Sequence, residues 1–297
     1  VMVLSMCTAV FADGNANVEI KLKDFENAQK VEYMQIIQKD ESTTSGWAFM
    51  NGAGECFIEA LGMTDSADAR QEVIWGLIRF NNPNVVLPTG VTAKTVTAAD
   101  IDLALSKVAG IRGFTELTDK TKTKIEVSKA GIYAIKAEEE GYTYKTATAY
   151  VGFDVGVDGS YPVLEGTEVA AKKSSTSVDK TTTDEDHVVA IGDIVTYTIE
   201  AYVPFIDAAN TTDRTFTITD KITGADYYLE GADSISSVTM AGTDPATKQV
   251  GSIAVDPKDK TKFTVNLNSL VASTDNPNAG KKITVTYTAK VNALTVE

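Results

Sequence analysis

The sequence predicts a mainly β protein, with an α+β first half followed by an antiparallel β-sandwich. Three observations lead there. Apolar and polar residues alternate in short runs in both halves, as at Val18, Ile20 and Leu22 and again at Val195, Tyr197, Ile199, Ala201 and Val203; this is the period of a strand with one buried face. Helical periodicity is confined to the middle of the first half. After residue 168 it disappears, and short strands succeed one another between Gly, Asp and Asn turns. A chain of 297 residues accommodates two cores, and the expected domains are 13–168 and 169–297, preceded by 1–12.

Val1 to Ala12 is an apolar run too short to cross a bilayer, and Val10-Phe11-Ala12 gives way abruptly to Asp13-Gly14-Asn15. It reads as the remnant of a secretory signal peptide ahead of a peptidase site, the alternative being a buried first strand. Leu4-Ser5-Met6-Cys7 has the outline of a lipoprotein box, but Met6 is too large for the position before the cysteine. Without this segment Cys56 is the only thiol, so no internal disulfide is expected. The single histidine, His187, follows Asp184-Glu185-Asp186 and has no second His or Cys to complete a metal site. Neither a metal nor a cofactor is expected. Lys plus Arg number 27 against 41 Asp plus Glu, a net charge of −14; this excludes a nucleic-acid or anionic-membrane surface, which needs clustered cations.

In the first domain, strands are expected at 18–22, at Val31 to Ile37 and at Trp47 to Phe49, the last beside the Asn51-Gly52 turn signal. Asp65 or Ser66 can cap a helix with Val73, Ile74, Leu77 and Ile78 on one face, stopped by Asn81-Asn82-Pro83. Thr97-Ala98-Ala99-Asp100 has the form of a capping box ahead of Ile101, Leu105 and Val108, with Gly110 as terminator. Strands resume at 125–127, 131–137 and 142–153. Leu87-Pro88-Thr89-Gly90 lacks one residue of a sortase sorting signal and reads as a loop. Asp13-Gly14-Asn15-Ala16-Asn17 spaces oxygens as a calcium loop does but lacks the distal Glu, and reads as a frayed terminus. The turn-rich Gly156 to Pro162 is a linker.

In the second domain the expected strands are 195–203, ended by Pro204, then Phe216 to Asp220, Ser234 to Met240, Lys262 to Leu267 and Lys282 to Val291, an immunoglobulin-like sandwich. Val178-Asp179-Lys180, Ala190-Ile191-Gly192-Asp193-Ile194-Val195-Thr196-Tyr197-Thr198-Ile199, Phe216-Thr217-Ile218-Thr219-Asp220 and Ile283 through Asn292 resemble, in that order, the signature segments of the isopeptide-forming domain of Gram-positive fimbrial backbone pilins. Tyr33-Met34-Gln35-Ile36 and Gly46-Trp47-Ala48-Phe49 are similar to the N-terminal pilin-type domain of the same family.

The resemblance implies an intramolecular amide between Lys180 and Asn292, promoted by Asp220. Burial among apolar side chains favours the neutral amine of a lysine and the protonated form of a carboxyl, which could then polarise an amide carbonyl and pass protons while ammonia leaves. Strand parity places Lys180 with Val178 and Asp220 with Phe216 and Ile218 on inward faces. Asn292 is out of phase with Val285, Tyr287, Ala289 and Val291, so a bulge or strand end must re-aim it.

The family also joins subunits through a lysine shortly before the isopeptide lysine. Val169-Ala170-Ala171-Lys172 keeps the Val and Lys of that motif and replaces the intervening pair, so Lys172, or Lys173 beside it, is the expected sortase acceptor. The implied protein is a secreted, wall-associated pilus subunit without conventional enzyme activity, whose partners are other pilin subunits. The alternative is a monomeric adhesin binding host protein or glycan, with Trp47, Tyr33 and Phe49 as candidate contacts.

Overall fold

The computed structural model describes residues 17–154, 164–184, 188–243, 249–274 and 276–293. The apolar run 1–12 with Cys7, the loop from Asp13 to Ala16, the linker from Gly156 to Pro162 and His187 lie outside these residues. The chain folds as two compact units, one from residues up to 140 together with 144–172, the other from 141–143 together with 173 onward.

The elements up to residue 170 are β1 (Val18–Lys23), β2 (Lys30–Lys39), β3 (Trp47–Phe49), α1 (Ala53–Ala60), α2 (Ala67–Asn81), α3 (Ala98–Ala109), β4 (Thr115–Glu116), β5 (Lys124–Val127), β6 (Gly131–Glu138), β7 (Tyr142–Tyr144), β8 (Ala147–Val151) and β9 (Thr167–Ala170), all in the first unit except β7, whose residues 142 and 143 belong to the second. A central sheet runs β3-β2-β6-β8, with β4 added to β2, and a smaller one runs β5-β1-β9. One face of the central sheet, with Met34, Ile36 and Ile132, packs on Phe57, Val73, Ile74, Leu77, Leu105 and Val108 of the helices. The other, with Val31, Tyr133 and Ile135, packs on Ile20, Leu22 and Ile125 of the small sheet. Alternation along β2 therefore feeds two cores from one strand.

The capping chemistry read from the sequence is in place. Ser66 Oγ accepts from the Ala69 N–H, while Asp65 turns to Arg70 instead. Thr97 and Asp100 form a reciprocal capping box at 3.2 and 2.9 Å. Gly110 closes α3, but with φ −85 and not in the left-handed conformation. Helix α1 was not anticipated; its N-cap is Gly52 at φ 80, which makes no side-chain cap bond, so the Asn51-Gly52 turn signal hid a helix start. The strand expected from 142 to 153 is two strands. Lys145 separates them, its N–H bonding Lys172 O and its ammonium pairing with Asp102 of α3.

Two glycines are fixed by close approach. The β2–β6 register shifts between Gln35, opposite Tyr133, and Ile37, opposite Ile132; Gly131 pairs with the next residue, Gln38, and a Cβ on it would lie 1.9 Å from Ile37 O. Within α2, a Cβ on Gly76 would lie 2.2 Å from Lys94 O, so the loop carrying Lys94 and Val96 rests directly on the helix backbone.

The second unit holds β10 (Lys173–Ser175), β11 (Val178–Thr182), β12 (Ile194–Tyr202), β13 (Thr217–Lys221), β14 (Ala225–Tyr227), β15 (Ser236–Met240), β16 (Ile253–Val255), β17 (Lys262–Asn266) and β18 (Lys282–Val291). Val169 belongs to β9, which pairs with β1 in the first unit, and it is buried in that core. The second unit begins at Lys173. Its larger sheet runs β11-β12-β18-β14 with β15 also on β18, and its smaller one runs β13-β17-β16. Between them lie Ile199, Ala201, Ile218, Val238, Phe263, Val265, Ile283, Val285 and Tyr287. The inward residues of β12, β13 and β18 are those given by alternation, as a sandwich requires.

Candidate functional site

Lys180 lies in β11, opposite Ile199 of β12. Among the described residues β11 is paired on one side only. Val178 is 63% exposed and Lys180 is exposed as well, so the inward face expected for these two from strand parity is not observed, because β11 is an edge strand. Asp220 lies in β13 of the other sheet, opposite Phe263, and is 9% exposed. The two side chains meet across the sandwich: Lys180 Nζ is 2.8 Å from Asp220 Oδ1 and 3.0 Å from Oδ2. Burial of a carboxyl demands partners, and Asp220 has three. Besides the lysine, the hydroxyls of Tyr287 and Tyr227 donate to its Oδ2 at 2.6 and 3.0 Å.

Aromatic rings enclose this group. Tyr197 stacks on Tyr287 at 5.4 Å, and the Lys180 ammonium lies 4.9 Å from the Tyr197 ring centroid and 5.7 Å from that of Tyr287. Tyr227 and Phe263 each meet Tyr287 edge-on, at 5.4 and 5.0 Å, geometries that favour ring quadrupoles. Burial pushes the Tyr287 phenol far above its ordinary range, and the bond to Asp220 and its charge add to the shift. Tyr227 is raised by burial first and then by the charge of Asp220. Both phenols are therefore held as O–H donors.

The structure brings Lys180 and Asp220 together and does not bring Asn292 to them. Asn292 follows the end of β18, its N–H bonding Gly224 O at 2.9 Å, and it is exposed. It lies five residues beyond Tyr287, about 16 Å along a strand rising about 3.3 Å per residue. The parity mismatch in the sequence was the signal: Val291 faces in and Asn292 does not. The two tyrosine hydroxyls are the site residues that the sequence reading left out. Tyr287 was legible only as an inward position, and Tyr227 sits in a three-residue strand with no pattern of its own.

Lys172 is exposed and ends the first unit. Lys173 is half-buried, its ammonium 4.6 Å from the Tyr142 ring centroid. Trp47 is fully buried, and Tyr33 and Phe49 are half-buried and pack against the cores; Trp47 cannot contact an outside ligand. Cys56 is buried in α1, and burial pushes its thiol up, which suppresses reactivity. Pro88 to Gly90 form an exposed turn within the first unit, closed by Val91 N–H to Pro88 O at 3.1 Å. Among the described residues no group of three or more His, Cys, Asp or Glu could hold a metal, and no helix is long and apolar enough to cross a membrane.

A helix-bearing α+β unit followed by an antiparallel sandwich is a pilin-type fold. The T6 backbone pilin of serotype M6 Streptococcus pyogenes matches 96% of this chain over 55% of its own length, with a TM-score of 0.52 and 12% identity. The major pilin SpaD of Corynebacterium diphtheriae matches 95% of the chain over 59% of its own, with a TM-score of 0.45 and 14% identity. The chain thus spans little more than half the length of the pilins it matches. No protein-family model matches the sequence, and no curated protein matches it.

Proposed function

We propose that the chain is a structural subunit of a Gram-positive surface pilus, secreted and wall-associated, whose second unit carries a self-forming isopeptide cross-link centred on Lys180 and promoted by Asp220. One observation carries this reading. A partly exposed lysine amine and a buried carboxyl are held 2.8 Å apart on facing sheets, against a cluster of aromatic side chains. Such a pair contributes little to stability on its own, so its presence supports a chemical role. The acceptor is a side-chain carboxamide. Asn292, implied by the family resemblance, is out of reach in this arrangement; the unpaired edge of β11 is open to an extended segment that would carry a carboxamide alongside Lys180. Lys172, exposed where Lys173 is engaged with Tyr142, is the better-placed sortase acceptor for joining subunits.

Peptide mapping of the native protein tests both positions. Lys180 is expected in a branched peptide lighter by one ammonia than its two parts, which also identifies the acceptor; in assembled fibres Lys172 is expected in a second branch. Normal tryptic cleavage after Lys180 in the mature protein would refute the cross-link.

A further inference from the structure

We infer that Tyr287 and Tyr227 are positioning residues for this cross-link, holding Oδ2 of Asp220 so that Oδ1, the oxygen nearer to Lys180 and free of phenol donors, is the one that exchanges protons with it. The inference rests on the reading of Lys180 and Asp220 as a cross-linking pair and goes beyond it, because nothing in the resemblance assigns a part to either tyrosine. Both hydroxyls reach the same oxygen, Oδ2, which Lys180 also touches at 3.0 Å, while the shorter Lys180 contact, at 2.8 Å, is to Oδ1. A phenol O–H donates only once, and each ring is fixed by packing. Tyr227 stands edge-on to Phe263 at 4.9 Å and to Tyr287 at 5.4 Å, and Tyr287 is clamped between Tyr197 and Phe263.

The carboxyl cannot turn about its own axis without breaking two hydrogen bonds to a charged acceptor, each about twice as strong as a neutral one. It therefore holds Oδ1 in a fixed orientation toward the reacting atoms, as preorganised catalysis requires. The proton inventory follows. Oδ1 takes one proton from the Lys180 ammonium, leaving a neutral amine with a lone pair. Nζ attacks the carboxamide carbon, the Nζ–C bond forms, and the bond from that carbon to its amide nitrogen breaks. The departing nitrogen takes the proton from Oδ1 and leaves as ammonia. Nζ, on becoming an amide, sheds a second proton to Oδ1, from which solvent removes it. Oδ2 keeps its two tyrosine donors throughout.

The charged groups facing these phenols besides Asp220 are Lys180, Asp184 toward Tyr197, and Asp259 toward Tyr227. Tyr287→Phe and Tyr227→Phe keep the rings and remove only the donors. Following newly synthesised full-length protein by intact mass, ammonia loss is expected to be about tenfold slower in each variant, the equivalent of one hydrogen bond to a charged group. A spectroscopic reading accompanies the rates. In Lys180→Ala protein with 13Cζ-labelled tyrosine, two phenol signals are expected to ionise far later than the rest, and adding Asp220→Ala is expected to move those two to lower pH. Unchanged linking rates in both Phe variants, or two signals indifferent to Asp220, overturn the clamp and leave the cross-link standing. A wild-type chain that never loses ammonia overturns the cross-link, and the clamp with it.

Discussion

Asp220→Ala is expected to abolish the cross-link and to destabilise the second unit by about 3 kcal/mol relative to Lys180→Ala, which cannot form the link either. The comparison separates the structural part of the carboxyl from its part in the proposed bond. In Lys180→Ala the carboxyl keeps both tyrosine donors. In Asp220→Ala two phenol hydroxyls lose their common acceptor, each at roughly 1–3 kcal/mol when no water replaces it, and the Lys180 ammonium loses its anion. Lys180 remains 34% exposed along its side chain and can turn toward solvent, so its share falls below that of a fully buried ion. For a unit of this size the difference is roughly a 10 °C lower melting temperature, measurable by circular dichroism. The double variant is expected to recover part of it by removing the stranded cation. Equal melting of the two single variants would mean that the carboxyl has no structural part.

The second large effect belongs to the first unit. Gly131→Val is expected to cost more than about 3 kcal/mol and to leave that unit largely unfolded under mild urea. Two penalties coincide: φ is 146, a conformation that side chains avoid, and the new Cβ would sit 1.9 Å from Ile37 O, a clash that only a backbone shift can relieve. The shift would also disturb Gln35, whose amide bonds Ile37 O and Ala130 O at 3.2 and 2.9 Å. Gly90→Ala is the matched control. Its φ is 84 but nothing lies within 4 Å, so it bears the left-handed strain alone, about 1 kcal/mol. Urea midpoints of the two variants against wild type check the ranking, and a similar loss in both would show that contact with Ile37 contributes nothing.

Most of the architecture could be read from alternation, because β1, β12 and β18 each bury one face and so write their phase into the sequence. Helices α2 and α3 announced themselves through Ser66 and the Thr97–Asp100 pair. Helix α1 did not: it is eight residues long and begins at a glycine that offers no side-chain cap. The bulge in β2 between Gln35 and Ile37 was equally silent, since a register shift depends on the partner strand and leaves no local period. In the candidate site, Lys180 and Asp220 were marked by family resemblance, and the fold sets them side by side; inward parity held for Asp220 but not for Lys180, whose strand is exposed at the sheet edge. Asn292 was marked by resemblance alone, against its parity, and parity described its position better. The tyrosine donors were hidden because an inward aromatic in a strand looks like core, and only the cross-sheet geometry shows where its hydroxyl points.

One pairing in the first unit bears on how that unit resists tension. Strands β1 and β9, the first and last described in that unit, run parallel, with Ile20 opposite Thr167 and Lys23 opposite Ala170. Tension applied at Val18 and at Ala170 pulls these neighbours lengthwise past each other, so their rungs resist together in shear. Antiparallel terminal strands would peel apart one rung at a time.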